Sequence, residues 1–243
     1  MMSDSEEIST FLSKKDFFIP QLSIACVVFG FHENQLHILL LKTKGVQNWL
    51  LPVGFVEQEE DIDDAARNIL YNRTGVYDIY LEQFRVFGKA KRPTKQSIED
   101  FLAANHSVGI EADWLLKRFV SIGYYALVDF SKVHAKVNEV TLACEWFEID
   151  KLPVLAFDHQ EMIEKALETL RFNLDSKVIG TSLLPDVFTM NELQKLYEGI
   201  LGESLRRNNF QRKMLSLDIL ERIEKRYTGA PNKAPYLYRF KKI

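Results

Sequence analysis

Apolar and polar positions divide this chain into segments with two different periods. "QLSIACVVFGF" and "LHILLLK" are apolar runs rich in β-branched residues, separated by the polar "HENQ", and they predict a β-hairpin. "NWLLPVGFV" continues as a strand ending near Gly54. The period then changes. In "EDIDDAARNILYNRTG" the apolar positions Ile62, Ala65, Ala66, Ile69 and Leu70 recur at helical spacing, and Gly75 supplies a stop. "VYDIYLEQFRVFG", "RFVSIGYYALVDF" and "NEVTLACEWFEI" return to partial alternation and predict three more strands. Strands enclosing helices in this order indicate a mixed α/β domain ending near Pro153. Residues 88–118 form an insertion that the strands do not require. Ser97 and Asp100 there have the spacing of a helix N-cap, and His106 reads as an ordinary surface histidine.

The C-terminal third is helical and then extended. "LAFDHQEMIEKALETLRFNL" carries Asp158 and Glu161 in capping-box spacing and predicts a connecting helix. "FTMNELQKLYEGILG" has a second such pair in Thr189 and Glu192, a buried stripe of Leu193, Leu196, Tyr197, Ile200 and Leu201, and Gly202 as its stop. After a tight connection, "SLRRNNFQRKMLSL" places Phe210, Met214 and Leu217 on one line, with Asn208, Gln211 and Arg212 on or near the opposite face. A helix, a short turn and a polar helix make a helix-turn-helix arrangement. "LERIEKRYTGAPNKAPYLYRFKKI" then reads as two strands around a Gly/Pro-rich loop, the form of a wing. The expected organisation is an N-terminal extension (1–19), a mixed-sheet domain (20–155), a connecting helix (156–180) and a winged-helix domain (181–243).

Charge changes this picture more than composition does. The 47% hydrophobic and 27% charged content is that of a globular protein. Net charge is only −3, yet residues 203–243 hold eleven Lys/Arg against four Asp/Glu, a balance of +7 that leaves −10 for residues 1–202. An acidic body with a basic C-terminal domain suggests a polyanionic partner. The acidic, polar opening "MMSDSEEIST" is unlike a signal peptide, and no apolar run reaches membrane-spanning length, so a cytoplasmic location is expected. Cys26 and Cys144, each flanked by apolar residues, read as buried reduced thiols.

The segment "GFVEQEEDIDDAARNILYNRTGV" carries the candidate chemistry. It is similar to the Nudix box, in which G, five residues, E and seven residues precede R-E-U-x-E-E-x-G-U, with U a bulky aliphatic residue. Gly54, Glu60, Leu70, Gly75 and Val76 fill their positions at intact spacing. Asn68 stands for the arginine, Ile69 for the first glutamate of the core, and Asn72 and Arg73 for the paired metal-binding glutamates. A fixed cation at a ligand position repels a metal by about a kcal/mol or more at an effective dielectric near 20. Glu57, Glu59, Glu60, Asp61, Asp63 and Asp64 read as a solvated acidic helix start favoured by the helix dipole. No metal site, cofactor or catalytic residue is therefore expected, and a divergent Nudix hydrolase of a nucleoside diphosphate derivative is the alternative.

The altered box, the joining helix and the C-terminal wing together resemble the NrtR-type, Nudix-related transcriptional regulators from about residue 20 to 243. The resemblance implies a Nudix-like α/β sandwich followed by a winged helix-turn-helix domain. It further implies a homodimeric repressor or other regulator that binds a palindromic double-stranded operator and responds to a small-molecule effector. That effector is an ADP-ribose-like nucleotide or, in relatives from sugar utilisation, a sugar such as arabinose. Arg206, Arg207, Arg212, Lys213, Lys225, Arg226 and Lys233 are the expected phosphate contacts, and Asn208, Asn209 and Gln211 the candidates for base edges. Lys42, Trp49, Gly54, Glu57, Glu60 and Tyr125 are the expected lining of the effector cleft.

Overall fold

The computed structural model describes residues 21–77, 79–90, 95–104, 115–133, 137, 140–175, 182–225 and 234–241. The extension 1–19, His106 and the wing residues Arg226 and Lys233 lie outside the described residues.

The predicted hairpin is present as β1 (Gln21–His32) and β2 (Gln35–Thr43), paired antiparallel. Its turn places Glu33 and Asn34 at positive φ (48° and 63°), the left-handed pair that a tight two-residue hairpin demands. β3 (Val53–Phe55) pairs with β1, and helix α1 (Ile62–Thr74) follows. Gly75, at φ 73°, stops α1 by donating its N–H to the carbonyl of Tyr71. After β4 (Tyr80–Phe87) and α2 (Lys95–Ala104) come β5 (Phe119–Val128) and β6 (Thr141–Glu148). The sheet order is β4-β5-β1-β2-β6, with β3 also on β1. β1 and β5 are parallel and the other pairings antiparallel, so the sheet is mixed. Ser97 lies within α2 rather than at its start, because the helix begins at Lys95.

Strand alternation assigns the two faces. Ile24, Cys26, Val28, Leu39, Leu41, Tyr124 and Ala126 pack with Ala65, Ala66 and Leu70 of α1. Ala25, Val27, Phe29, Ile38, Leu40, Tyr125 and Leu127 turn the other way, toward α3 (His159–Phe172) and its Met162, Ile163, Ala166 and Leu170. Helix α3 is thus a layer of the sandwich as well as a connection. Asp158 has the capping-box spacing but does not cap it. Its backbone sits at φ −100°, ψ 22° with no side-chain cap bond, and Glu161 instead pairs with Lys89 at 2.6 Å.

The C-terminal domain comprises β7 (Phe188–Thr189), α4 (Met190–Leu201), α5 (Arg207–Ser216), β8 (Leu220–Lys225) and β9 (Tyr236–Phe240), with strands ordered β7-β9-β8. Here the capping box holds: the Thr189 hydroxyl accepts from the Glu192 N–H, and the Glu192 carboxylate accepts from the Thr189 N–H. Gly202, at φ 75°, ends α4. Phe210 and Met214 of α5 are buried as expected. Leu217 is not, since the helix closes at Ser216 and leaves Leu217 as an exposed C-cap.

One apolar cluster runs from the α3 face of the sheet into Leu193, Leu196, Tyr197, Ile200, Phe210 and Met214. Gly199 makes the junction close: a Cβ there would lie 3.0 Å from the Phe31 ring and 3.5 Å from the Asn34 carbonyl. Both thiols are buried and free of disulfides; burial raises the pKa of each, that of Cys144 to about 11. No described helix is long and apolar enough to cross a membrane.

Candidate effector cavity and nucleic-acid interface

A cavity of about 600 Å³ opens where β1, β3, the end of α1 and the first residues of β5 and β6 meet. Ser23 and Ser121, opposed on the parallel strands β1 and β5, join hydroxyls at 2.7 Å in its wall. Phe55, Phe101, Phe119 and Phe157 supply aromatic surface, with the Phe55 and Phe119 rings 5.4 Å apart. Arg73, Lys117 and Arg118 supply positive charge. Arg118 also reaches the Gly88 carbonyl and so ties the two ends of the inserted segment together. His159, the first residue of α3, lines the cavity too; its Nδ1 accepts from the Leu51 N–H at 3.0 Å. Among the described residues no Asp, Glu, Asn or Gln lines it.

The altered Nudix positions are built into this region. Ile69 packs directly on Gly54: a Cβ on that glycine would lie 2.5 Å from the Ile69 side chain. Asn68 donates to Glu60 at 2.7 Å, so the carboxylate kept from the motif is engaged by the residue replacing the motif's arginine. Arg73 reaches across to β6 and donates to the Thr141 hydroxyl at 2.9 Å. The neighbouring acids are engaged as well, Asp64 by Arg67 at 2.9 Å and Asp63 by the Tyr124 hydroxyl. No three His, Cys, Asp or Glu among the described residues converge as a metal site would require.

Of the six residues expected in the cleft, Gly54 lines the cavity. Tyr125 needs correction: it is fully buried on the α3 face, with its hydroxyl donating to Glu82 at 2.6 Å. Lys42 reaches the Gln47 carbonyl and lies over Trp49, whose ring packs edge-on against Phe147. Glu57 is exposed, with its N–H directed to Glu60. The other lining residues come from strand ends, the end of α1, the start of α3 and the inserted segment, which are remote from one another in sequence.

The second candidate site is the exposed face of α5. Its only buried side chains are Phe210 and Met214, which fix the rotation of the helix so that Arg206, Arg207, Asn208, Asn209 and Arg212 are exposed and Gln211 is partly so. Lys213 stands apart from that row. It pairs with Asp175, just beyond α3, at 2.8 Å and lies 5.8 Å from the Tyr197 ring. Lys225 sits over Tyr236 at the base of the wing. The turn into α5 is held by Glu198, which accepts from the Leu205 N–H (2.9 Å), Gln194 (2.9 Å) and Lys195 (2.7 Å).

The architecture is a mixed-sheet, Nudix-like sandwich joined to a winged helix with a basic helix face. Residues 180–240 match the NrtR DNA-binding winged helix domain family. The chain is 29% identical over 234 residues to the ADPR responsive transcriptional repressor NtrR of Acinetobacter baylyi, covering 93% of this chain and 84% of that protein. Shewanella oneidensis NrtR has the same architecture, with a TM-score of 0.68 at 27% identity over 91% of this chain and 94% of its own. Its complex with a 27mer DNA gives 0.67 at 26%, over 90% and 93%. A MutT/nudix family protein from Enterococcus faecalis shares the fold over all of both chains (TM-score 0.68, 20% identity). The chain therefore resembles the NrtR-type Nudix-related transcriptional regulators over nearly its whole length.

Proposed function

We propose that this protein is a DNA-binding transcriptional repressor that senses an ADP-ribose-like nucleotide in its Nudix-like domain and acts as a homodimer on a palindromic operator. The observation that carries the effector class is the lining of the cavity: three cations, four phenylalanines and, among the described residues, no carboxylate or carboxamide. Such a lining suits an anionic ligand with a flat aromatic part. A neutral sugar is recognised by polar groups that pair with its hydroxyls, and here serines, threonines and one histidine are all that remain for that role beside the cations.

The DNA-binding surface in this reading is α5 with the base of the wing. Arg206, Arg207 and Arg212 neutralise phosphates, while Asn208, Asn209 and Gln211 meet base edges in the major groove. Lys213 belongs with the arginines as a phosphate contact, one that competes with its half-exposed pairing to Asp175. The division of the chain into a sensing domain (20–155), a helix (156–180) and a winged helix (181–243) is part of the same proposal. So is the absence of hydrolysis, which rests on Ile69, Asn72 and Arg73 standing at the metal-binding positions of the motif.

Helix α3 offers a physical route between the sites. It begins at the cavity with His159, packs on the sheet throughout, and is followed by Asp175 at Lys213 of α5. A ligand that shifts α3 displaces the recognition helix, and two such displacements across a dimer change the spacing of the half-sites. Fluorescence anisotropy on the DNA upstream of the gene tests the reading. ADP-ribose should release the protein from DNA, whereas arabinose should not. Release by the sugar, or by neither compound, would reject the effector assignment. Release of nucleoside monophosphate from ADP-ribose in magnesium would reinstate the hydrolase alternative.

A further inference from the structure

Magnesium requires several oxygen ligands and is commonly completed by the phosphates of its substrate. The residues at the Nudix metal positions do not fit it: Ile69 is apolar and seals Gly54, Asn68 occupies Glu60, and Arg73 places a fixed positive charge where a ligand would stand. Arg73 is nevertheless held with care. The last turn of α1 carries it to the cavity wall, and Thr141, itself buried, fixes the guanidinium by one hydrogen bond of 2.9 Å. That bond uses one of five N–H donors in a planar fork whose geometry matches two oxygens of a phosphate.

We propose that the Arg73 guanidinium is the phosphate-binding group of the effector site, standing in for the divalent cation so that a phosphorylated ligand binds without metal. This rests on the reading of the cavity as the effector site. A cation built into the chain does the electrostatic work of a bound metal but cannot generate a nucleophile from water, so the same substitution that ends hydrolysis preserves recognition of a diphosphate. Lys117 and Arg118 add charge of the same sign, and no carboxylate among the described lining residues opposes it. Phe55 and Phe119 lie close enough for a base to share their aromatic surface. The ligand class is therefore a nucleoside diphosphate derivative, bound through its phosphates at Arg73.

Isothermal titration of the full-length protein with ADP-ribose and with inorganic pyrophosphate, each in EDTA and in magnesium, tests this directly. ADP-ribose should bind in EDTA within about twofold of its affinity in magnesium. Arg73→Gln should weaken it by roughly tenfold or more, the loss expected for a charge-assisted hydrogen bond, and Arg73→Lys should recover only part because lysine lacks the fork. Thr141→Val, which frees the guanidinium without removing its charge, should weaken binding by a few fold and carries the test if Arg73→Gln fails to fold. Binding that needs magnesium, or that survives Arg73→Gln or Thr141→Val unchanged, overturns the proposal. If pyrophosphate binds in EDTA through Arg73 and ADP-ribose does not, the anion site stands and the ADP-ribose assignment falls. If neither binds in EDTA, the anion site is overturned.

Discussion

Glu198 fastens the two helices of the winged helix to each other. Its carboxylate is held far down, to about 2, first by Lys195 and then by the Leu205 N–H and the Gln194 amide. A group whose pKa is depressed by folding contributes stability above its unfolded pKa, about 4.3 for glutamate, and loses it as pH falls toward the folded value. Glu198→Gln should therefore melt below the parent protein at pH 7, with the difference closing between about pH 4.3 and 2. A difference that does not change with pH would show that packing, not the charge, is what the substitution removes. Arg207 allows a second single-residue prediction. If it contacts a phosphate, Arg207→Ala should weaken operator binding uniformly across sequences and lower the slope of log K against log salt by about 1.

The elements that sequence specified best are those whose ends are chemical. Gly75 and Gly202 stop their helices at positive φ, and Thr189 with Glu192 closes a capping box, because each motif satisfies backbone groups within a few residues. Thr189→Ala should cost about 1 kcal/mol in urea unfolding. Asp158 and Glu161 share the spacing without the result, since Lys89 draws Glu161 away and the Asp158 backbone is not extended. A partner 72 residues distant leaves no local trace. The rotation of α5 was legible through Phe210 and Met214, whereas the end of its buried line at Leu217 was set by where the helix closed. Met214→Ala should destabilise the domain by about 2 to 5 kcal/mol, and it should reduce DNA binding only as far as the helix rotates or unfolds.

For the whole molecule, the mixed sheet and the winged helix could be read from period, order and the asymmetry of charge, while the cavity could not. Tyr125 shows why. It shares its side of β5 with Phe119 and Ser121, which line the cavity, but lies farther along the strand, where packing buries it and Glu82 takes its hydroxyl; alternation gives the face and not how far the opening extends. The cavity gathers strand ends, the end of α1 and the inserted segment, all remote in sequence. The proposed route from the cavity to α5 belongs to this scale as well. Helix α3, at 14 residues about 21 Å long, starts at the cavity and is followed by the Asp175–Lys213 pair. Both partners of that pair are about half exposed, so Asp175→Ala should leave the melting temperature nearly unchanged. It should shift the effector concentration needed to release DNA, and an unaltered response would remove the pair from the route.

The most direct test of the account is the anisotropy of a labelled operator fragment bound to the full-length protein, titrated with ADP-ribose in EDTA. The account predicts that anisotropy falls to that of free DNA without any metal ion, and that Arg73→Gln raises the concentration required while leaving operator affinity in the absence of ligand unchanged. Anisotropy that stays constant through saturating ADP-ribose, or that falls only when magnesium is supplied, would contradict it.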